Sequence, residues 1–195
     1  MNMKDTIYVV SGFMRTGTSM MMRCLQAGGL DAVYQEGRDK MNDKFGDDDY
    51  QPNKDGFYEM FRVDYQQPHF PRMYAGRLIK CLFSGLPTMV VHDYKVVFML
   101  REHEEIRQSY EAFFHQELGM KKNTYTEAMQ ESIDLLHNRK DTHATVLQYR
   151  DVVKNPQENF EVLRNNGWPI NVSKAVSVVN QDLCRFRLEK LTVGI

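Results

Sequence analysis

The chain has 195 residues with 42% hydrophobic content, which is enough for one compact domain with a substantial core and too little for two large ones. Its formal net charge of −1 argues against a general nucleic-acid-binding or membrane-surface protein. No apolar stretch reaches the length of a membrane span, and the first apolar run is too short for a signal peptide, so we expect one cytoplasmic domain over residues 1–195.

The N-terminal part of the chain is predicted to begin with a strand and a helix. An apolar run predicts the strand at 6–11, and the helix follows at about 17–28, where a Gly-Gly pair is a normal helix end. A short strand is expected at 32–34. Residues 36–56 are rich in Asp, Gly, Asn and Lys and predict a loop, and residues 57–66 predict a helix.

Strands and helices alternate in the rest of the chain. The near-continuous apolar run at 94–100 is typical of a strand buried on both faces of a parallel sheet. Further strands are predicted at 77–83 and 145–149. Helices are predicted at 102–116, at 124–139 with Thr124 as a possible N-cap, and from Asn155-Pro156 to about Asn166. This alternation indicates an α/β fold, a three-layer sandwich with a mostly parallel central sheet.

The first strand runs into a glycine loop, Ser-Gly-Phe-Met-Arg-Thr-Gly-Thr-Ser at 11–19. Gly12 and Gly17 have the spacing of the phosphate-binding pattern G-x-x-x-x-G-K-[ST], but Thr18 stands where that pattern has its lysine. The only cationic residue of the loop is Arg15. In nucleoside triphosphate enzymes this lysine and Mg²⁺ neutralise the β- and γ-phosphates. The loop therefore predicts an anion site for a ligand with less charge at its reacting end.

Arg15-Thr16-Gly17-Thr18-Ser19 resembles the phosphosulfate loop of the sulfotransferases that use 3′-phosphoadenosine 5′-phosphosulfate (PAPS). In that family a lysine or arginine precedes Ser/Thr-Gly-Thr-Ser/Thr. The resemblance implies the P-loop NTPase-like sulfotransferase fold, with these five residues binding the co-substrate PAPS and its product 3′-phosphoadenosine 5′-phosphate (PAP), without a metal.

Two later segments extend this resemblance to the nucleotide site. Arg101 directly follows the buried strand, and Ser109 stands eight residues later, which is the spacing of the family's arginine and serine on the 3′-phosphate. An arginine leaving a strand end can fork onto a phosphate. Tyr149 matches a tyrosine that lies near the adenine, although a half-buried strand tyrosine is an equal alternative. The family's late Arg-Lys-Gly segment is absent, and Arg185 and Arg187 are possible substitutes.

Residues 78–87 resemble the segment Lys-Thr-His-x-x-x-x-Leu-Pro of cytosolic-type members. The match implies that Lys80 faces the transferring sulfuryl group, but Leu82 stands at the position of the catalytic histidine. Gly56-Phe57-Tyr58-Glu59 resembles a Gly-Tyr/Phe-Tyr-Glu segment of compact bacterial-type members. The resemblance covers roughly residues 6–160.

Another residue must therefore take the acceptor proton, while Arg15 and Lys80 fit the stabilisation of charge on the leaving oxygen. Glu36 is the first choice, because carbohydrate- and protein-tyrosine-type sulfotransferases place a catalytic glutamate in that region. Glu59 is a close second. His69 and His92 match no pattern of the family. For both glutamates a solvated or ion-paired carboxylate is the alternative.

Neither the cysteines nor the acidic run of the chain predicts a metal site. Cys24, Cys81 and Cys184 are odd in number and widely spaced, and we expect reduced thiols packed in the core. Asp47-Asp48-Asp49 could bind a divalent ion, but no coordination spacing accompanies it, which favours a solvated acidic loop.

The sequence thus predicts a PAPS-dependent sulfotransferase acting on a hydroxyl or amine of a small-molecule or saccharide acceptor, with neither nucleic acid nor membrane as partner. A P-loop nucleotide kinase or NTPase is the rival, disfavoured by the missing lysine. A catalytically inactive PAP- or PAPS-binding module is the third possibility, because of Leu82. The acceptor pocket is expected between 36–56, 57–75 and 117–140.

Overall fold

The computed structural model describes residues 5–42, 56–62 and 64–180. Its centre is a four-stranded, all-parallel sheet in the order β2-β1-β3-β4. The strands are β1 Ile7–Gly12, β2 Leu78–Lys80, β3 Tyr94–Leu100 and β4 Thr142–Gln148. The helices are α1 Thr18–Ala27, α2 Glu36–Asn42, α3 Phe70–Tyr74, α4 His103–Phe114, α5 Lys122–Asn138, α6 Tyr149–Lys154, α7 Pro156–Asn165 and α8 Val172–Val176, with 3₁₀ helices at Asp64–Gln66 and Phe83–Thr88.

Both faces of the sheet are covered, because successive side chains of each strand point to opposite sides. Tyr8 and Val10 of β1 belong to one core, in which the Tyr8 ring lies 5.3 Å from that of Trp168. Ile7 and Val9 belong to the other core, which includes residues of α4 and α5. Helices therefore form a layer on each side of the sheet, and the predicted α/β three-layer fold is confirmed.

The four strands end at one edge, since they are parallel and paired in register. Val10 of β1 lies opposite Lys80, Gly12 lies opposite Met99, and Leu100 lies opposite Gln148. The chain passes from β1 to β2 on one side and to β3 on the other, so the strand order reverses at β1. Ligands of open parallel sheets bind at the carboxyl ends of the strands beside such a reversal.

The segment before the second strand differs most from its prediction. The loop expected at 36–56 begins with helix α2, and the helix expected at 57–66 is replaced by irregular chain and a 3₁₀ turn at Asp64–Gln66. The strand expected at 32–34 is a single bridge between Ala32 and Leu78. These conformations are determined by long-range contacts, including the bridge between Glu59 and Lys80, which local composition does not encode.

Three further boundaries are corrected. Helix α5 begins at Lys122, so Thr124 lies inside it and is not its N-cap. The strand expected at 77–83 ends at Lys80, because the following residues turn into the 3₁₀ helix Phe83–Thr88. Tyr149 opens helix α6 and does not end a strand. Among the described residues, no helix combines the length and the apolar character needed to cross a membrane.

Candidate functional site

Each of the four strands leads, at its carboxyl end, into a residue that the sequence singled out. The glycine loop follows β1, Lys80 ends β2, Arg101 follows β3 and Tyr149 follows β4. Because the strands are parallel, all of these residues lie at the same edge of the sheet. Tyr149 and the glycine loop, whose last residue Ser19 precedes Tyr149 by 130 positions, are in this way brought to one place.

The two glycines of the loop are required by the backbone. Gly12 has φ +145°, and a Cβ there would lie 2.5 Å from the carbonyl oxygen of Met99. Gly17 has φ +91°, and a Cβ would lie 2.3 Å from a ring carbon of Tyr149. Helix α1 begins at the next residue, Thr18. The amides of its first turn lack intrahelical partners and favour an anion at this end.

The predicted phosphate ligands of α4 and of the loop are in direct contact. The Arg15 Nε donates to Ser109 Oγ at 3.1 Å, and Arg101 Nη1 donates to the Arg15 carbonyl oxygen at 3.0 Å. Arg15 itself adopts a left-handed conformation with φ +67°, which non-glycine residues adopt rarely. Arg15, Arg101 and Ser109 therefore form one cationic cluster beside the loop.

A buried carboxylate, Glu105, holds this cluster. It accepts from Arg101 Nε at 2.9 Å and from Arg150 Nη2 at 3.1 Å, and it is 2% exposed. The Arg101 guanidinium also lies 4.4 Å from the centre of the Tyr149 ring. Tyr149 is buried between contacts with Gly17 and Arg101. Its contacts support positioning of Arg101 and the loop, and whether it also touches adenine stays a prediction.

Lys80 is buried at the opposite side of the loop. Its Nζ donates to Ser19 Oγ at 3.1 Å and to the carbonyl oxygen of Phe57 at 2.8 Å. Burial lowers the pKa of Lys80 to about 8; the positive charge of Arg15 also lowers it, while Glu59 and Asp39 raise it. The two predicted charge-stabilising cations thus belong to one electrostatic environment.

The two candidate carboxylates occupy different positions. Glu59 Oε1 lies 3.7 Å from Lys80 Nζ, and its Oε2 lies 3.0 Å from Arg38 Nη2. Glu36 is the first residue of α2 and is exposed. The structure therefore brings Glu59, the second choice, into contact with Lys80, while Glu36, the first choice, is exposed.

The histidines and Leu82 lie elsewhere. His92 precedes β3 and contacts the carbonyl oxygen of Asp5, at the edge of the sheet opposite the loop. His69 is the exposed N-cap of α3. Leu82 is a half-buried residue that caps the 3₁₀ helix after β2.

Aromatic side chains surround the cations of the site. The rings of Phe57 and Phe113 lie 5.5 Å apart, and the Arg15 guanidinium lies 4.7 Å from the Phe113 ring centre. The Lys80 Nζ lies 5.9 Å from the Phe57 ring centre. Phe57 belongs to the segment that the sequence placed at the acceptor pocket. An apolar wall next to fixed positive charge strengthens electrostatic interactions with a bound anion, because it excludes water.

Several predicted features lie outside the described residues, namely Asp47-Asp48-Asp49, Cys184, Arg185 and Arg187. Cys24 and Cys81 are buried free thiols, as expected of core packing, and burial raises the pKa of each to about 12. Within the described part of the chain, no cluster of His, Cys, Asp and Glu has the geometry of a metal site.

Three charged residues of the site were not found by sequence reasoning. Glu105 of α4 stands four residues after Arg101, which precedes the helix, and this spacing could have indicated an ion pair. Arg150 directly follows Tyr149, and its contact with Glu105 spans 45 positions of the sequence. Asp39 was counted as part of a polar loop, and it accepts from the backbone amides of Phe57 and Tyr58. Nothing local in the sequence marks that contact.

The sequence matches no protein-family model and no curated protein. Among solved structures, the unliganded crystal structure of a sugar kinase from Janibacter sp. HTCC2649 is similar, with a TM-score of 0.42 and 14% sequence identity over 89% of this chain and 97% of that chain. At this level of similarity the comparison carries no argument about ligand or reaction.

Proposed function

We propose that the protein is a sulfotransferase that moves the sulfuryl group of PAPS to a hydroxyl or amine of an acceptor. One observation carries the proposal. The lysine-free glycine loop is joined by direct contacts to Ser109 and Arg101 on one side, and to Lys80 on the other. These residues come from segments that lie far apart in the sequence, and each segment resembles the sulfotransferase pattern on its own.

The donor set of the site fits a 3′,5′-bisphosphorylated nucleotide. The backbone amides of the loop and of the first turn of α1 suit the 5′-phosphate. Arg101 and Ser109 suit a second phosphate close by, because a guanidinium and a hydroxyl can both donate to one anion. Glu105 and the Arg15 carbonyl fix the Arg101 guanidinium, so that little ordering is left to binding.

The chemistry of transfer can be followed through the residues of this chain. Glu59 takes the proton of the acceptor hydroxyl, and the acceptor oxygen forms a bond to sulfur. The bond between sulfur and the bridging phosphate oxygen breaks, and its electron pair stays on that oxygen, so PAP leaves. Lys80 and Arg15 stabilise the negative charge that develops on this oxygen. Their interaction accelerates transfer because the charge is larger in the transition state than in bound PAPS.

A titration of nucleotides tests the proposal. PAP should bind without metal, and AMP and ATP should bind about ten- to a hundredfold more weakly, because a charge-assisted phosphate contact contributes on the order of 1.5–3 kcal/mol. Isothermal calorimetry with and without Mg²⁺ measures this. Equal affinity for PAP and AMP would exclude the 3′-phosphate site, and Mg²⁺-dependent preference for ATP would favour the nucleotide kinase or NTPase.

A screen of acceptors separates the enzyme from a binding module. Radiolabelled PAPS is incubated with hydroxyl and amine compounds, including saccharides, and labelled products are detected. Transfer to any of them supports the enzyme. Tight PAP binding without transfer to any compound of a broad acceptor panel would favour a catalytically inactive binding module, the possibility suggested by Leu82 at the position of the catalytic histidine.

A further inference from the structure

Asp39 is a buried carboxylate for which the transfer chemistry described above has no use. It lies on α2 and is 1% exposed. Its Oδ1 accepts from the amide of Phe57 at 3.2 Å, and its Oδ2 accepts from the amide of Tyr58 at 3.3 Å. Burial raises the pKa of Asp39, against the lowering effect of these amides and of Lys80. Burying a carboxylate costs free energy unless hydrogen-bond donors compensate for the lost water, so a specific role for Asp39 is expected.

The segment that Asp39 holds has an unusual backbone. Gly56 has φ +95° and Tyr58 has φ +58°, both in the left-handed region. Consecutive amides then converge on one side of the chain and form a concave anion site, here filled by the protein's own carboxylate. A Cβ on Gly56 would lie 2.7 Å from Asp39 Oδ2, so the backbone approaches the carboxylate as closely as only glycine allows.

The same segment delivers two groups to Lys80. The Phe57 carbonyl oxygen accepts from Lys80 Nζ at 2.8 Å, and Glu59 Oε1 lies 3.7 Å from that nitrogen. Glu59 also forms a backbone bridge with Lys80 at the end of β2. The amides face Asp39 while the carbonyl and the following carboxylate face Lys80. The position of Glu59 is therefore coupled to the carboxylate of α2.

On the basis of the proposed sulfuryl transfer, we propose that Asp39 is a positioning residue that holds residues 56–59 and so sets Glu59 and the Phe57 carbonyl against Lys80. Asp39 touches neither nucleotide nor acceptor. It acts through the backbone amides of Phe57 and Tyr58 and through its negative charge near Lys80. Glu59 is then kept within ion-pair distance of Lys80, with Oε1 3.7 Å from Nζ.

The test compares Asp39→Asn with Asp31→Asn, whose carboxylate is exposed and paired with Arg77. In Asp39→Asn, PAP affinity should stay within twofold or so of wild type, while kcat for transfer falls about 10- to 100-fold, because misplaced reacting groups have effects of this size. KM for PAPS should change little. Asp31→Asn should leave all of these quantities unchanged.

A second readout needs no acceptor. The Lys80 titration is followed by NMR on protein with ¹³C-labelled lysine, and in Asp39→Asn the pKa of Lys80 should fall below its starting value, because Asp39 raises it. An effect on folding alone would not move this pKa in the folded protein. Unchanged Lys80 titration together with unchanged kcat would overturn the proposal.

A third variant covers the case in which Asp39→Asn does not fold. Gly56→Ala keeps the Asp39 charge and pushes the segment away from it, because its Cβ meets Oδ2. It should lower kcat and shift the Lys80 titration without changing PAP affinity, and full activity in Gly56→Ala would contradict the coupling. If wild-type protein fails to bind PAP, the proposed function fails, whereas the Lys80 titration in Gly56→Ala, which keeps the Asp39 charge, still decides whether Asp39 holds the segment.

Discussion

The two sides of the site are built in different ways. The proposed phosphate side, formed by the glycine loop with Arg101 and Ser109, lies at the ends of β1 and β3, which pair over six residues of each strand. The proposed proton side, formed by α2 and residues 56–59 against Lys80, adjoins the three-residue strand β2, and its residues 56–59 have an irregular backbone. The first side is fixed by the sheet, and the second by a few long-range polar contacts.

Under the proposed function, nucleotide affinity depends on the first side and turnover on the second. A phosphate site must present its donors in advance, and buried ion pairs such as that of Arg101 with Glu105 keep them in place. A proton acceptor must fit a particular substrate, and an irregular segment held by a few polar contacts can be changed without disturbing the sheet. We therefore expect variants on the two sides to separate cleanly into effects on affinity and effects on turnover.

The largest expected effect is on the proton side, in Glu59→Gln. The variant keeps the shape of the side chain and removes the base, so turnover should fall by about 10²–10⁴ with PAP affinity unchanged. Transfer of radiolabel from PAPS to an acceptor found by the screen measures it. Glu36→Gln should lose far less, because Glu36 is exposed at the start of α2.

The exposed Glu158 of α7 provides a matched control, since Glu158→Gln removes a surface carboxylate to which the proposed transfer assigns no role. It should leave turnover unchanged. A large loss confined to Glu36→Gln would restore the first choice made from the sequence. Full activity in both Glu59→Gln and Glu36→Gln would mean that no carboxylate base operates, and His69 would then be tested.

The sequence predicted the proposed phosphate side of the site better than the proposed proton side. The glycine loop, Arg101 and Ser109 could be selected from the sequence because they follow apolar strands at fixed local spacings, and the structure brings them into contact with one another. The place of Glu59 depends on a bridge across 21 positions to Lys80 and on the amides held by Asp39. Periodicity carries no signal for such contacts, and the same region was mistaken for a loop followed by a helix.

The next effect in size concerns affinity on the phosphate side. Arg101→Ala should weaken PAP about ten- to a hundredfold, because it removes a charge-assisted phosphate contact. Arg107→Ala is the control on the same helix, since Arg107 is paired with Glu104 and Glu111 at the surface. Calorimetry should show the loss in Arg101→Ala alone. Thermal unfolding is measured in parallel, because Arg101 also pairs with the buried Glu105.

If Arg101→Ala bound PAP as wild type does, the guanidinium would serve the fold and not the ligand. Arg101→Lys refines this outcome, because lysine keeps the charge but loses the planar fork. An intermediate affinity in Arg101→Lys would support direct contact with phosphate.

A smaller effect tests whether the loop itself is rigid. Gly17→Ala should destabilise the fold by about 1–3 kcal/mol, since it places a Cβ against Tyr149 in a left-handed conformation. Gly37→Ala on α2 is the matched control, because a Cβ there meets nothing within 4 Å. It should be neutral or stabilising by at most about 0.5–1 kcal/mol. Differential scanning fluorimetry compares the two, and equal melting temperatures would show that the loop adapts.

The smallest expected effect is the pH dependence of turnover. Lys80 must be charged to stabilise the leaving oxygen, and its pKa of about 8 lies below the usual value because of burial and of Arg15. The charged form is lost as pH rises through that pKa, so kcat should be reduced about twofold near pH 8 and continue to fall above it. PAP affinity should stay constant over the same pH range if it depends on arginines, which remain charged.

Lys80→Arg keeps a cation at every pH tested and should remove the fall in kcat at alkaline pH. Lys95→Arg is the control, on a lysine whose ammonium donates to the Asn166 carbonyl oxygen, and it should preserve the fall. A wild-type profile that stays flat to pH 9 would mean that turnover does not depend on the Lys80 charge, and the role of stabilising the leaving oxygen would then pass to Arg15.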